Sequence, residues 1–175
     1  MKGPAADAPP DPGEPRTADF EPLALRRVFG AFPTGVTALA ALRDGAPVGM
    51  AASTFVPVSL DPPLVSVCAA LTSTTWPRLR TADRLGVSVL SAGQESASRR
   101  LSSAGADRFA GLGWRSTPSG AVLLDGAAAW FECSPVRELP AGDHVIALLR
   151  LHAMSAAPDP RPLVFHAGGY RALAP

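Results

Sequence analysis

Val36-Thr37-Ala38-Leu39-Ala40-Ala41-Leu42, then Arg43-Asp44-Gly45-Ala46, then Pro47-Val48-Gly49-Met50-Ala51-Ala52-Ser53 is the stretch on which the fold turns. An apolar run meets Asp44-Gly45, a dipeptide that accepts the left-handed backbone of a two-residue hairpin turn. The chain is therefore expected to return as a second strand from Pro47 toward Ser53. Working outward, further strands are expected at 64–68, 85–90, 127–136, 144–154 and 162–166, with helical stretches near 75–82 and 94–102. Many strands and few helices make the chain mainly β and favour a closed barrel, because closure removes edges that would otherwise pair between chains.

Toward the amino terminus, Leu25, Val28, Phe29 and Phe32 fall at helical spacing, with Pro22 acceptable in the first turn. The spacing predicts a short amphipathic helix packed on something larger. Residues 1–18 are punctuated by Pro and Gly and hold little that could be buried, so they are read as a disordered leader before one domain at 19–175. At 175 residues and 47% hydrophobic, the chain can bury a core.

Composition excludes several classes of function. A formal charge of +1, with no basic stripe, argues against a nucleic-acid partner. The single lysine is Lys2, so a P-loop is excluded and any bound phosphate must be held by arginine, hydroxyls or backbone N–H groups. Cys68 and Cys133 are too few for a zinc cluster or disulfide scaffold and are expected to be reduced and buried. His144, His152 and His166 are not spaced to share an ion, so no metal site is expected. The opening residues lack the apolar stretch of a secretion signal, and no apolar run is long enough to span a bilayer. The expectation is a cytoplasmic protein without a membrane partner.

No Gly-x-Gly-x-x-Gly lies between a strand and a helix, so a Rossmann site is unsupported. The loops that could hold a cofactor instead are 51–55, with Ser53 and Thr54, and 69–76, with Thr72, Ser73, Thr74 and Thr75. Small residues let a flat ring approach the backbone, and hydroxyls with loop N–H groups can hold phosphate oxygens. The same residues also read as a helix cap and a turn. Trp76 could border a ligand, Trp114 lies in a Gly-rich loop that could cover the site, and Trp130 alternates with Ala128 and Glu132 as core or subunit surface.

Phe32-Pro33-Thr34-Gly35-Val36-Thr37, Pro47-Val48-Gly49-Met50-Ala51-Ala52-Ser53-Thr54-Phe55 and Ser59-Leu60-Asp61-Pro62-Pro63-Leu64-Val65 occur in that order. Asp107-Arg108-Phe109-Ala110-Gly111, Gly142-Asp143-His144 and Arg161-Pro162-Leu163-Val164-Phe165 follow. Together these strings, spread from about Leu25 to Tyr170, resemble the flavin reductase-like family.

The resemblance implies an FMN-binding split β-barrel with a few peripheral helices. It also implies a homodimer that binds FMN or FAD and uses NADH or NADPH to supply reduced flavin to a flavin-dependent monooxygenase. Carried over by position, Pro47, Val48, Gly49, Met50 and Ala51 with Ser53 and Thr54 would neighbour the isoalloxazine. Cys68, Ala69, Ala70, Ser73, Thr74, Thr75 and Trp76 would form a second flavin segment, Ser73 and Thr75 toward the phosphate, with Arg100 a further flavin contact. His144 is the catalytic candidate, positioning the nicotinamide or donating a hydrogen bond to it. Phe165, His166, Ala167 and Gly168 would belong to the nicotinamide nucleotide. The chain departs from the family pattern at Leu101, where an aromatic is usual, and at Leu149, often a glycine. Two other uses of such a site remain open from sequence: a reductase that keeps its flavin and passes electrons to another acceptor such as ferric iron, or a non-catalytic flavin carrier or redox sensor.

Overall fold

The structure, a computed structural model, describes residues 20–105, 107–159 and 161–173; the expected leader at 1–18 lies outside the described residues. In chain order the elements are α1 (Pro22–Phe29), β1 (Thr34–Gly35), β2 (Thr37–Arg43), β3 (Ala46–Ala52), β4 (Val56–Leu60), β5 (Pro63–Ala70), α2 (Trp76–Leu79) and β6 (Leu85–Val89). They continue with α3 (Glu95–Ser102), β7 (Trp114–Ser116), β8 (Val122–Leu124), β9 (Ala129–Ala141), β10 (His144–Ala156), β11 (Leu163–His166) and β12 (Gly169–Ala172).

The hairpin read from Asp44-Gly45 is present. Both residues have positive φ, 54° and 78°, as a two-residue turn of this hand requires, and Thr37 through Arg43 pair with Ala52 back through Ala46. β2 lies inside a seven-stranded antiparallel sheet of order β3-β2-β6-β9-β10-β5-β4. The sheet curls until β3 comes alongside β5, yet no backbone ladder joins them. This is a split barrel rather than the closed one that edge avoidance alone favours. The Thr54 hydroxyl stitches across the gap, accepting from the Cys68 N–H at 2.8 Å and donating to the Cys68 carbonyl at 3.3 Å.

β2 is buried on both faces, which is why it reads as an apolar run rather than an alternation. Leu39 and Ala41 point into the barrel with Val65, Val67, Leu85, Val87, Cys133 and Leu149. Ala38 and Ala40 face a second core of Leu90, Ala97, Leu101, Phe109, Val122, Leu124 and Leu163. That second core is what holds α3, the β7–β8 hairpin and the β1-β11-β12 sheet against the barrel. Leu101 and Leu149, the two departures from the family pattern, are both buried in these cores. Removing a leucine side chain of this kind from water is worth roughly 1.5–3 kcal/mol.

Several expectations are corrected. α1 forms, but none of its residues is buried; Leu23, Val28 and Phe29 are exposed, so the helix does not pack its apolar side on the barrel. The short strands β1, β4, β7, β8 and β12 were not legible. β9 runs past its expected end through Pro140 to Ala141, and β10 runs on to Ala156; the register slips between Leu148 and Leu149, where Pro135 is already paired and Val136 is bulged outward. Trp114 sits in β7 rather than in a loop, with its ring edge-on to Phe109 at 6.4 Å. Cys133 is buried, but Cys68 is only half-buried. Among the described residues, no helix is long and apolar enough to cross a membrane.

Candidate functional site

Three contiguous clefts form one groove along the outside of β3. The inner cleft, about 150 Å³, lies among Val36, Ala51, Ala52, Ser53, Ser98, Ser102, Phe165 and Tyr170. Ala51 and Ser102 also line the middle cleft, about 340 Å³, with Met50, Thr72, Ser73, Thr74, Thr75 and Arg108. Thr74, Thr75, Ala104 and Arg108 in turn border the outer cleft, about 290 Å³, whose other walls include Pro47, Val48, Gly49, Arg78, Gly105, Asp107 and Phe109. The groove thus has β3 as one wall, the β5–α2 loop as the second and the carboxyl end of α3 with the following segment as the third.

Arg108 ties these walls together. Its Nη1 donates to the Thr75 hydroxyl at 2.8 Å, the Gly49 carbonyl at 3.2 Å and, weakly, the Leu101 carbonyl at 3.5 Å. Among the described residues Nε and Nη2 have no partner, so a guanidinium edge remains for a ligand. Gly49 is required beneath it: a Cβ there would lie 2.7 Å from the Leu39 carbonyl and 2.8 Å from the Phe109 ring. Ser73 Oγ accepts from the N–H groups of Thr75 and Trp76, at 3.3 and 3.1 Å, and so holds the loop that presents Thr74 and Thr75.

At the far end, the β11–β12 hairpin turns at Ala167 and Gly168, both with positive φ, and places Phe165 against Tyr170 with ring centroids 5.3 Å apart. The Tyr170 hydroxyl bonds to Ser98 Oγ at 2.8 Å. The Arg99 guanidinium lies 5.0 Å over the same ring and is held by Glu95 at 2.7 Å. The Ala167 N–H donates to the Gly30 carbonyl, joining this hairpin to the end of α1.

The structure brings together most of the residues singled out by sequence, with differences. Pro47, Val48, Gly49, Met50, Ala51, Ser53, Ser73, Thr74, Thr75 and Phe165 line the groove. Thr54 does not; its hydroxyl is spent on Cys68. Trp76 turns inward, 3% exposed, and its indole N–H donates to Glu138 at 2.8 Å, so it is a core residue rather than a border of the site. Ala69 is likewise core, whereas Cys68 and Ala70 are half-buried on the alternate side of β5. Arg100 is exposed and outside the three clefts, beside Gly111; its neighbour Arg99 is the one that reaches Tyr170. Sequence reasoning missed Arg108, Arg78, Ser98, Ser102 and Tyr170. For Arg108 a signal existed, since the Asp107-Arg108-Phe109 string was conspicuous and the chain offers only arginine as a folded cation.

His144 opens β10 opposite Ala70, beside the loop that carries Thr72–Thr75, but it lines none of the three clefts. Its Nδ1 bonds to Asp143 Oδ1 at 2.7 Å, and the Asp143 carbonyl accepts from the Leu71 N–H. The bond from His144, its charge and the more distant Arg26 hold the Asp143 carboxyl below its ordinary range. His166 and the Ala167-Gly168 turn stand beyond Phe165. Among the described residues no cluster of His, Cys, Asp or Glu is arranged around a metal position.

The donor set suits a flavin. Small residues Ala51 and Ala52 beside Val36 and Phe165 leave room for a flat ring in the inner part of the groove, where Ser53, Ser98 and Ser102 add hydroxyls. Hydroxyls and an arginine edge follow in the middle, where a phosphate would lie.

A family model described as a flavin reductase like domain matches residues 29–174. The reductase subunit of a flavin-dependent monooxygenase from Mycobacterium tuberculosis is 34% identical over 161 residues, covering 91% of this chain and 86% of that protein. An NADH-dependent FAD reductase from Streptomyces globisporus is 40% identical over 156 residues, covering 86% of this chain and 85% of that protein. Among solved structures, the Streptomyces globisporus NADH:FAD oxidoreductase in complex with NAD and FAD fragments superposes with a TM-score of 0.87 at 37% identity, covering 93% of this chain and 98% of that one.

Proposed function

The chain belongs to the flavin reductase-like family, and on that premise we propose that it is an NAD(P)H-dependent flavin reductase supplying reduced FMN or FAD to a separate flavin-dependent monooxygenase. The observation that carries the reading is the continuity of the groove, in which a small-residue, aromatic-ended cleft runs directly into a hydroxyl- and arginine-lined one. When bound, nicotinamide and flavin supply the chemistry themselves, a hydride passing from nicotinamide C4 to flavin N5.

The protein's task is to hold two rings in contact and keep water out. Ala51 and Ala52 provide a floor without side chains that would hold the ring off the backbone, while Phe165 and Tyr170 wall the open end. Tyr170 is fixed for this by Ser98 and Arg99. Thr74, Thr75 and the free edge of Arg108 hold the phosphate. His144, oriented by Asp143, positions the nicotinamide and moves no proton in the transfer. The exposed apolar residues of α1 and the edge strand β4, including Leu23, Phe29, Val56, Val58 and Leu60, are the surface that a homodimer would cover. Reduced flavin leaves by diffusion to the oxygenase.

The test is NADH and NADPH oxidation, followed at the nicotinamide absorption band, with FMN, FAD or riboflavin added in turn. Flavin-dependent turnover is expected. Flavin binding without turnover would refute the reductase reading in favour of a carrier or sensor; retention of one flavin through many turnovers would favour electron delivery to another acceptor such as ferric iron. The His144→Ala variant is expected to raise the nicotinamide KM with flavin affinity unchanged, and equal loss of both would refute its positioning role.

A further inference from the structure

We propose that Met50 is a modification site, oxidised to its sulfoxide by hydrogen peroxide formed in the groove when reduced flavin meets dioxygen instead of an oxygenase, and that this loosens the flavin site; the proposal rests on the flavin-reductase reading above. Reduced flavin passes two electrons and two protons to dioxygen, giving oxidised flavin and hydrogen peroxide. The groove that would hold that flavin carries one thioether. Met50 lines the middle cleft, next to Ala51, which borders both the middle and the inner one. Of the other two methionines, Met1 lies outside the described residues, and Met154 is 71% exposed near the far end of β10 and lines none of the three clefts.

Ser73 prepares the sulfur for this step. Its Oγ accepts from the Thr75 and Trp76 N–H groups at 3.3 and 3.1 Å, so both lone pairs are engaged, and its own proton is donated to Met50 Sδ at 3.9 Å. Met50 is half-buried and packed against the barrel core, which holds the sulfur at the cleft wall. In the reaction the sulfur lone pair attacks one peroxide oxygen, the O–O bond breaks, and the second oxygen leaves as water with both protons. Sulfur is oxidised by two electrons and the peroxide is reduced by two. The Ser73 hydroxyl donates to the departing oxygen and afterwards to the sulfoxide oxygen, a stronger acceptor than a thioether. The sulfoxide is polar, so its oxygen stays at the cleft wall and does not enter the core. There its negative end faces the place of the flavin phosphate beside Thr74, Thr75 and Arg108. Flavin is then released, and uncoupled peroxide production limits itself until a methionine sulfoxide reductase restores the thioether.

The experiment is aerobic turnover of the full chain with FAD or FMN and NADH or NADPH, without an oxygenase and with catalase present, followed by peptide mass mapping and flavin fluorescence titration. Catalase removes peroxide that has left the groove, so Met50 should gain one oxygen atom severalfold faster than Met154. Peroxide added without nicotinamide or catalase should reverse that order, because Met154 is the more exposed. Flavin affinity of the oxidised protein should fall roughly tenfold, the scale of one spoiled contact to a charged phosphate, and sulfoxide reductase should restore it. In Met50→Leu, which keeps the apolar bulk, turnover should leave flavin affinity at that variant's own starting value. Met50 left unmodified, Met50 oxidised no faster than Met154 in turnover, or a Met50 sulfoxide that binds flavin as the parent does would each overturn the proposal. Oxidation of Met50 ahead of Met154 by added peroxide would also overturn it, because the selectivity would then belong to the sulfur and not to a source in the groove. If no nicotinamide is consumed, it is the reductase reading that fails, and flavin reduced chemically beforehand and reoxidised by air on the protein then tests Met50 by the same mass map.

Discussion

Thr75→Val tests whether Arg108 holds the groove together. Thr75 is 7% exposed, and valine keeps its shape while removing the hydroxyl that accepts from Arg108 at 2.8 Å. Arg108 would keep only the Gly49 carbonyl at 3.2 Å and the Leu101 carbonyl at 3.5 Å, the latter at the limit of bonding distance. A hydrogen bond to a charged group contributes roughly 1.5–3 kcal/mol. Arg108 is half-buried and can recover water, so the low end applies, about 1.5 kcal/mol, or a fall in Tm of roughly 3–6 °C for a chain of this size. Arg108→Met should cost more, because it unties all the walls at once, and the double variant should show a coupling of about 1 kcal/mol. Thr75→Ser keeps the acceptor and should stay near the parent. Thermal and denaturant unfolding followed by circular dichroism measure all five proteins, the parent included. A coupling below about 0.3 kcal/mol would refute the clip, because additivity at that level is what independent sites show. Both single variants should also weaken FMN and FAD alike.

Other consequences follow from packing and titration. Gly86→Ala should cost at least about 3 kcal/mol or prevent folding, since its Cβ would overlap the Val122 carbonyl, which is backbone, and lie 2.8 Å from Leu123; the denaturant midpoint reads this directly. Burial, with some help from Glu132, pushes the Cys133 thiol up to about 12, so alkylation at pH 8 with mass-spectrometric readout should label Cys68 in the folded protein and Cys133 only on unfolding. Partial desolvation of the exposed His152 ring, together with Arg84 and Arg150 and partly offset by Glu132, holds its pKa below the ordinary 6.5. The folded state therefore prefers the neutral ring, and this contribution is complete above about pH 6.5 and lost as pH falls through the folded midpoint. An NMR titration midpoint at or above 6.5 would contradict it.

Local chemistry made part of the fold legible. Asp44-Gly45 tolerates positive φ and was bound to turn, and the unbroken apolar run before it corresponds to a strand buried on both faces. α3 was readable because Ala97, Ser98 and Leu101 form one inward side on an otherwise charged segment. What escaped depends on distant partners. β7 and β8 are three residues each, and β8 is buried only because Gly86, far away in sequence, leaves no side chain between β6 and the Val122 backbone. α1 had the right spacing for a packed helix, but spacing predicts an apolar side and not what covers it.

The site was legible in position more than in role. Ser and Thr residues of the two loops were singled out as groups that could hold phosphate, and all of them but Thr54 line the groove. Yet Thr54 spends its hydroxyl closing the split between β3 and β5, and Ser73 spends its oxygen on two N–H groups of the loop leading into α2. A buried hydroxyl is most readily satisfied by nearby backbone, so richness in Ser and Thr marks a shaped loop before it marks a ligand contact. The charge for an anion then has to come from side chains long enough to arrive from elsewhere. In a folded domain without lysine that means arginine, and Arg108, a residue 33 positions from its Thr75 partner, meets the need. Neither loop could have revealed it alone, because the junction exists only once α3 and the segment after it have been packed against β3 by the second core.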